Sequence, residues 1–472
     1  MCIVKTQANQ IIVGEGFYHV NNFYLDAEQV ITLNLISIKC SPLRTLSLFY
    51  TGIKPTKALL RRLECFRITL FYSYLFSESV NSVVSANSIT LLKNANVYAP
   101  EAKGLKHLVI GGGEILYMGD ELPVLDSLLA VDELDLQGQA LLPGFIDGHT
   151  HITGGGGEAG FATRVPAVPL SQFTQAGVTT AVGLLGTDDV TRSTESLLAQ
   201  VYALREEGLS AYCYTGGYHL PPTTLTGSIR TDIVFIEPIV GVGELAISDH
   251  RSSQPTLNEL LKVASEAHVS RLMTGKAGIV HLHLGDGERG LELVREALSM
   301  SEIPAKTFNP THVNRRRELF HEACELTKQG CWIDVTAFET GDVGYEPADA
   351  LLRYINSDYP QDKLTISSDG GGCLPNFDKH GHMTKMDFGN PIAMTNVFYQ
   401  LIDEGTKIED CLAFFTSNIS TLMNFKSKGR IALGMDADLI VLDKQNRISH
   451  VMANGVWHIY NKAVIKKGTF EE

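Results

Sequence analysis

From about residue 142 to 423, short apolar runs alternate with longer stretches of helical periodicity. The apolar runs end near His149, Thr187, Gly217, Ile247, His283, His312, Phe338 and Ser368. Between most of them lie helix-like segments such as ESLLAQVYALREEG, LNELLKVASEAH and GLELVREALSM. Strands that alternate with helices predict an α/β fold with a parallel sheet, and eight such units predict a (β/α)8 TIM-like barrel over 143–423. The flanks have a different texture. ITLLKNANVYAP, HLVIGGGEILYMG and LLAVDELDLQGQALLP precede the barrel, and GRIALGMDADLIVLD, ISHVMANGVWHIYN and AVIKKGTF follow it. These are short strands between Gly-rich turns, and they predict one small β-sandwich built from 88–142 and 424–472. Residues 1–87 show neither pattern and are expected to be an extension, with short aromatic runs such as FRITLFYSYLF.

Composition narrows the class. The 472 residues are 44% hydrophobic and 19% charged, which excludes a disordered, collagenous or coiled-coil chain. Lys+Arg 39 against Asp+Glu 53 gives a net charge of −14, so no general affinity for nucleic acid or anionic membrane is expected. CIVKTQANQ after Met1 lacks a basic start followed by an apolar run, so no secretory signal is expected. The run Ile68 to Phe76 is far short of the roughly 20 residues a spanning helix needs. The eight cysteines include no CxxC pair, and reduced thiols in a cytoplasmic protein are the expectation.

In a TIM-like barrel the chemistry sits at the carboxyl ends of the strands. The residues closing the apolar runs form one chemical set. LLPGFIDGHTH ends in His149-x-His151, and residues i and i+2 of a strand point to one side. Glu244 lies in GVGELAIS, and His283, His312 and Asp369 close the apolar runs in IVHLHLG, FNPTHVN and LTISSDG. Imidazoles with carboxylates suit Zn²⁺ or a similar divalent ion. Six ligands exceed one tetrahedral site and fit two divalent ions with a bridge, which can hold a hydroxide nucleophile and polarise a carbonyl.

These residues carry a resemblance. PGFIDGHTH, the later single histidines, SSDG and GMDADLIVLD resemble the amidohydrolase superfamily. HITGGGGEAG, AGVTTAVGLLGTD, TGGYHLP, AISDHRS, PTHVNR and SSDGGG are similar to the isoaspartyl (β-aspartyl) dipeptidase family, over roughly residues 89–472. The resemblance implies a zinc-dependent barrel hydrolase that cleaves β-aspartyl dipeptides to aspartate and an amino acid. It implies that His149 and His151 hold the more buried metal, that His283 and His312 hold the second, and that Asp369 is ligand and general acid/base. Glu158 would accept the substrate ammonium, Tyr218 would donate to the carbonyl oxygen, Arg251 and Arg315 would bind the two carboxylates, and Thr187 would line the pocket. It implies a homo-oligomer as well. Two arginines and a glutamate beside a dimetal site also suit a small zwitterionic dipeptide on chemical grounds alone.

The chain departs from the family pattern in two places. Glu244 stands where relatives carry a carboxylated lysine, and it is expected to bridge the metals with its two oxygens. Cys373 stands where many relatives carry a substrate-touching serine, and it is either a weaker donor or a buried, inert thiol. His281 makes a second His-x-His with His283 and is expected behind the ligands or in the core. His380 and His382 are expected in a loop, apart from the metals. Gly155-x-Gly157-x-x-Gly160 matches a dinucleotide fingerprint but follows a metal-binding strand and carries Glu158, so its glycines are expected to serve close backbone approach. Asn418-Ile419-Ser420 is a formal glycosylation sequon. Two other readings of the same residues are an N-acyl-amino-acid deacylase, cyclic-imide hydrolase or dihydroorotase, and a catalytically dead scaffold.

Overall fold

The computed structural model describes residues 9–12, 17–20, 89–126, 130–377 and 383–472. The chain divides into two units, Met1–Val84 and Ser85–Glu472. In the first, Asn9–Ile12 and Phe17–Val20 pair as an antiparallel hairpin. The rest of the expected extension, and His380 and His382, lie outside the described residues.

The second unit carries the predicted alternation. Eight strands follow in order: β1 (Phe145–Thr150), β2 (Val178–Gly183), β3 (Ser210–Thr215), β4 (Ile239–Ile247), β5 (Val280–Leu284), β6 (Phe308–Thr311), β7 (Ile333–Thr336) and β8 (Leu364–Ser367). β1 to β6 form one parallel sheet in sequence order, and β7 pairs with β8. Trp332 N–H donates to Phe308 O between β6 and β7, while Asp369 N–H donates to His149 O and His151 N–H to Gly370 O between the β8 end and β1. This is an α/β arrangement consistent with a TIM-like barrel. The strands read as continuous apolar runs because each is covered on both faces; every residue of β1, β2, β4 and β5 is buried.

A helix fills every connection between these strands. The helix between β4 and β5, Leu257–Thr274, shows why the sequence folds this way. Thr256 and Glu259 form a capping box, and Gly275 ends the helix with φ +71°, a conformation that favours glycine. Its buried residues Leu260, Val263, Ala264 and Ala267 fall on one stripe toward the barrel. Each large side chain buried this way contributes about 1.5–3 kcal/mol.

Strands from both flanks join in one nine-stranded sheet. Ala140–Pro143, the last strand before the barrel, pairs antiparallel with Leu439–Leu442, the first after it. Buried Lys428 ties this sheet to β3, donating to Asp438 (2.6 Å) and Ser210 Oγ (2.6 Å) and pairing with Asp436 (2.7 Å). No helix among the described residues is long and apolar enough to cross a membrane.

Two irregularities place the chemistry. Asp147 pairs with Ala181 and Thr150 with Gly183, so β1 carries one extra residue around His149. Val242 pairs with Val280 and Leu245 with Leu282, so β4 carries one extra residue at Gly243–Glu244. Bulges of this kind re-aim side chains.

Candidate active site

The strand ends bring six ligand-type side chains together. His149, His151 and Glu244 offer atoms within 4.8 Å of one another; so do Glu244, His283 and His312, and so do His149, His312 and Asp369. All are buried. The two oxygens of Glu244 divide between the pairs. Oε1 lies 3.4 Å from His151 Nε2 and 3.7 Å from His149 Nε2. Oε2 lies 3.0 Å from His283 Nδ1 and 3.5 Å from His312 Nε2. The bulge at Gly243–Glu244 brings a side chain this short to the centre. Gly243 has no room for a side chain, since a Cβ there would lie 2.7 Å from His281 Cβ. The two histidine pairs are equally enclosed, so burial does not distinguish a deeper metal position.

Asp369 Oδ1 lies 3.2 Å from His151 Nε2 and 3.4 Å from His149 Nε2. His149 Nε2 and Asp369 Oδ1 are nevertheless buried without a hydrogen bond. Buried polar atoms without partners are rare, and converging lone pairs on imidazole and carboxylate are the donor set of a divalent metal. The residues present fit such an ion. Burial opposes charge on all of them, yet the neighbours prevail for several. The imidazoles beside it hold Glu244 well below the usual carboxylate range, and His149 and His151 do the same for Asp369. Burial would lower the His151 imidazole, but Asp369 and Glu244 raise it to about 10.

Beside the ligands lies a charged pole. Glu158, its side chain 28% exposed, accepts from Thr187 Oγ1 at 2.9 Å and from Arg251 Nη1 at 3.2 Å. Arg251 also lies over the Tyr218 ring. Tyr218 is buried, with Oη 2.7 Å from His283 Nδ1; burial, reinforced by Glu244, pushes its phenol well above the usual value and keeps it a neutral donor. Arg315 lies over the Phe338 ring, and its buried Nε has no hydrogen-bond partner. Cys373 borders the glycine loop, and burial pushes its thiol up to about 11, so it is no thiolate nucleophile.

The loop carrying Glu158 folds back on residues 163–165. A Cβ at Gly154 would sit 1.9 Å from Val165 O, and one at Gly156 would sit 2.4 Å from Thr163 O. The loop leads into a short 3-10 turn, Phe161–Thr163, where a dinucleotide fingerprint would open a helix. Asn418 is buried, its amide donating to Gln361 O and Leu364 O, so the sequon is engaged in the fold.

Two features escaped the sequence reading, Arg192 and Asp249, whereas His281 lies behind a ligand as expected. Arg192 is buried and donates to Asp188 (2.7 Å) and to the carbonyls of Gly155 (2.9 Å) and Val165 (3.0 Å) in the Glu158 loop. Asp249 contacts both Arg251 and His283. His281 Nε2 meets His149 Nδ1 at 2.8 Å, and its Nδ1 meets Asn309 Oδ1 at 2.7 Å. Its spacing two residues before His283 was the signal for it in the sequence. Asp249 and Arg192 offered only charge next to apolar runs.

Comparison with known proteins bears on this geometry. Residues 140–458 match the amidohydrolase family. The chain is 32% identical over 382 residues to imidazolonepropionase of Ruegeria sp. (strain TM1040), covering 75% of this chain and 92% of that protein. It resembles the crystal structure of β-aspartyl dipeptidase from Fervidobacterium islandicum AW-1 in complex with β-Asp-Leu dipeptide, at 40% identity and a TM-score of 0.76, over 81% of this chain and 99% of that one. Dihydropyrimidinase from Brevibacillus agri NCHU1002 shares the fold at 16% identity and a TM-score of 0.57, over 81% of this chain and 100% of that one.

Proposed function

The chain belongs to the amidohydrolase family, and on that premise we propose that it is a metal-dependent hydrolase of β-aspartyl (isoaspartyl) dipeptides, releasing aspartate and a free amino acid. The observation that carries the reading is the charged pole beside the ligand cluster. Glu158 and Arg251 neutralise each other at 3.2 Å, and a zwitterion can replace that pair with two of its own. Its ammonium goes to Glu158 and Thr187, one carboxylate to Arg251, and the other to Arg315, whose buried Nε lacks a partner. Guanidinium forks suit carboxylates. The similarity to a dipeptidase structure holding β-Asp-Leu supports the same substrate class.

His149, His151, Glu244, His283, His312 and Asp369 would hold two divalent ions, zinc first among them, with Glu244 as the bridge in place of a carboxylated lysine. Bound there, such ions supply Lewis acidity and acidify water. Tyr218, a neutral phenol, donates to the scissile carbonyl oxygen as negative charge grows on it, usually the largest catalytic effect. Asp369 holds the proton taken from the attacking water and delivers it to the leaving amine. Cys373 borders the pocket as a protonated thiol. We read the nine-stranded sheet as the small β-sandwich domain and 143–423 as the catalytic barrel.

The test is hydrolysis of β-Asp-Leu against α-Asp-Leu by the zinc-reconstituted full chain. Strong preference for the β-linked dipeptide is expected, as is loss of that activity in Glu158→Ala. A second reading, opening of a cyclic amide, is favoured by the 92% coverage of the imidazolonepropionase. Turnover of imidazolonepropionate with neither dipeptide cleaved would replace the first reading by the second.

A further inference from the structure

We propose that Asp249 is a positioning residue that orients two working groups at once, the metal-ligand candidate His283 and the carboxylate-binding guanidinium of Arg251. The second half rests on the substrate reading above; the first does not.

Asp249 follows β4 and is buried. Its Oδ1 accepts from Arg251 N–H (2.7 Å) and Arg251 Nε (3.0 Å). Its Oδ2 accepts from Arg251 Nη2 (2.7 Å) and stands 3.0 Å from His283 Nε2. A carboxylate only accepts, so Asp249 holds the His283 ring with Nε2 toward itself and Nδ1 toward the cluster. Nδ1 is the atom that faces Glu244 Oε2 at 3.0 Å, among the cluster with His312. The Tyr218 hydroxyl lies 2.7 Å from Nδ1 and 3.2 Å from Nε2, and Arg251 Nη2 lies 3.4 Å from Nε2, so the ring is held from both edges. Asp249 thus fixes the ring orientation in which His283 Nδ1 can ligate, the usual task of a carboxylate behind a metal-bound histidine.

The same carboxylate occupies the Nε and Nη2 edge of Arg251. That leaves Nη1 turned to Glu158 as the edge open to a ligand. Asp249 is itself fixed, because its carbonyl accepts from Ser252 N–H and Gln254 Nε2. A Cβ at Gly285 would fall 2.3 Å from Asp249 Cβ, so position 285 must be glycine for the carboxylate to lie here.

The experiment uses the full chain carrying Asp249→Asn, with Arg251→Met beside it. Zinc affinity is measured by chelator competition on metal-free protein, and KM and kcat on β-Asp-Leu. For Asp249→Asn, one zinc-binding step should weaken about 10–100-fold, and KM should rise. Arg251→Met should raise KM and leave zinc affinity unchanged. Asp249→Ser replaces the Asn variant if that one fails to fold, with the same expectation. Unchanged zinc affinity in a folded Asp249 variant, even with a lowered melting temperature, would overturn the proposal. If the parent chain does not cleave β-Asp-Leu, the substrate reading fails while the zinc constants still decide the hold on His283.

Discussion

Replacing Arg192 by methionine should loosen the loop that presents Glu158. The side chain keeps its length and apolar stem but loses its charge and donors. In the structure the guanidinium makes three contacts of 3.0 Å or shorter, to Asp188, Gly155 O and Val165 O. Longer contacts reach Thr153 O (3.4 Å) and Gly156 O (3.5 Å). At about 1.5 kcal/mol each, the low end for bonds to charged groups, the three short contacts amount to about 4–5 kcal/mol. Unfolding entropy of about 2.1 cal/mol/K per residue over roughly 390 residues converts this into a melting shift of about 5–6 °C. The catalytic signature should be selective. Glu158 sits two residues beyond Gly156, so KM for the dipeptide should rise several-fold while kcat changes little. Arg192→Lys should recover part of the stability, because one ammonium cannot reproduce the planar fork. Thermal melts by circular dichroism and steady-state kinetics on β-Asp-Leu measure both. A melting temperature within 1 °C of the parent together with an unchanged KM would show that the loop holds its shape without Arg192.

Other outcomes follow from the same structure. Lys428→Met should cost about 3–5 kcal/mol in urea unfolding, because buried Asp438 and its neighbour Asp436 lose their shared cation. Metal uptake should release protons. Burial opposes it, but Glu244 and Asp369 raise His149 and His151, the latter to about 10. Those protons must leave on ligation, so affinity should climb with rising pH and fall as pH drops. Calorimetry in buffers of different ionisation enthalpy counts the protons, and zero release would contradict the assignment of these histidines as ligands. Gly186→Ala should weaken metal binding, since its Cβ would fall 2.7 Å from His151 Cε1 and 3.3 Å from Glu244 Oε1; metal analysis after dialysis reads this directly.

The barrel strands and most ligands were legible in the sequence because strands covered on both faces must be apolar, and the polar residues that end them stand out. The observed β4 ends at Ile247, the end read from the pattern, while β2 ends at Gly183, before the expected Thr187. Apolar character runs on through Leu184 and Leu185, which are buried outside the strand. The bulges at His149 and Glu244 left no trace, since a strand buried at every position has no inside–outside alternation for one extra residue to disturb. They explain how a glutamate sits between both histidine pairs. Asp249 and Arg192 stayed hidden for a different reason. Asp249 meets His283, and Arg192 meets the carbonyls of Gly155 and Val165, across long stretches of sequence, and such contacts leave no periodic mark.

The pairing of Ala140–Pro143 with Leu439–Leu442 has a consequence for synthesis. Leu141 lies opposite Val441, so about three hundred residues are made before that partner exists, a separation that slows closure. On the ribosome, the strand at 140–143 waits with one edge unpaired while the whole barrel emerges. The strand at Leu439–Leu442 therefore acts as a latch. A nascent chain cut short before Leu439 would leave an open strand edge, the kind of surface through which chains aggregate.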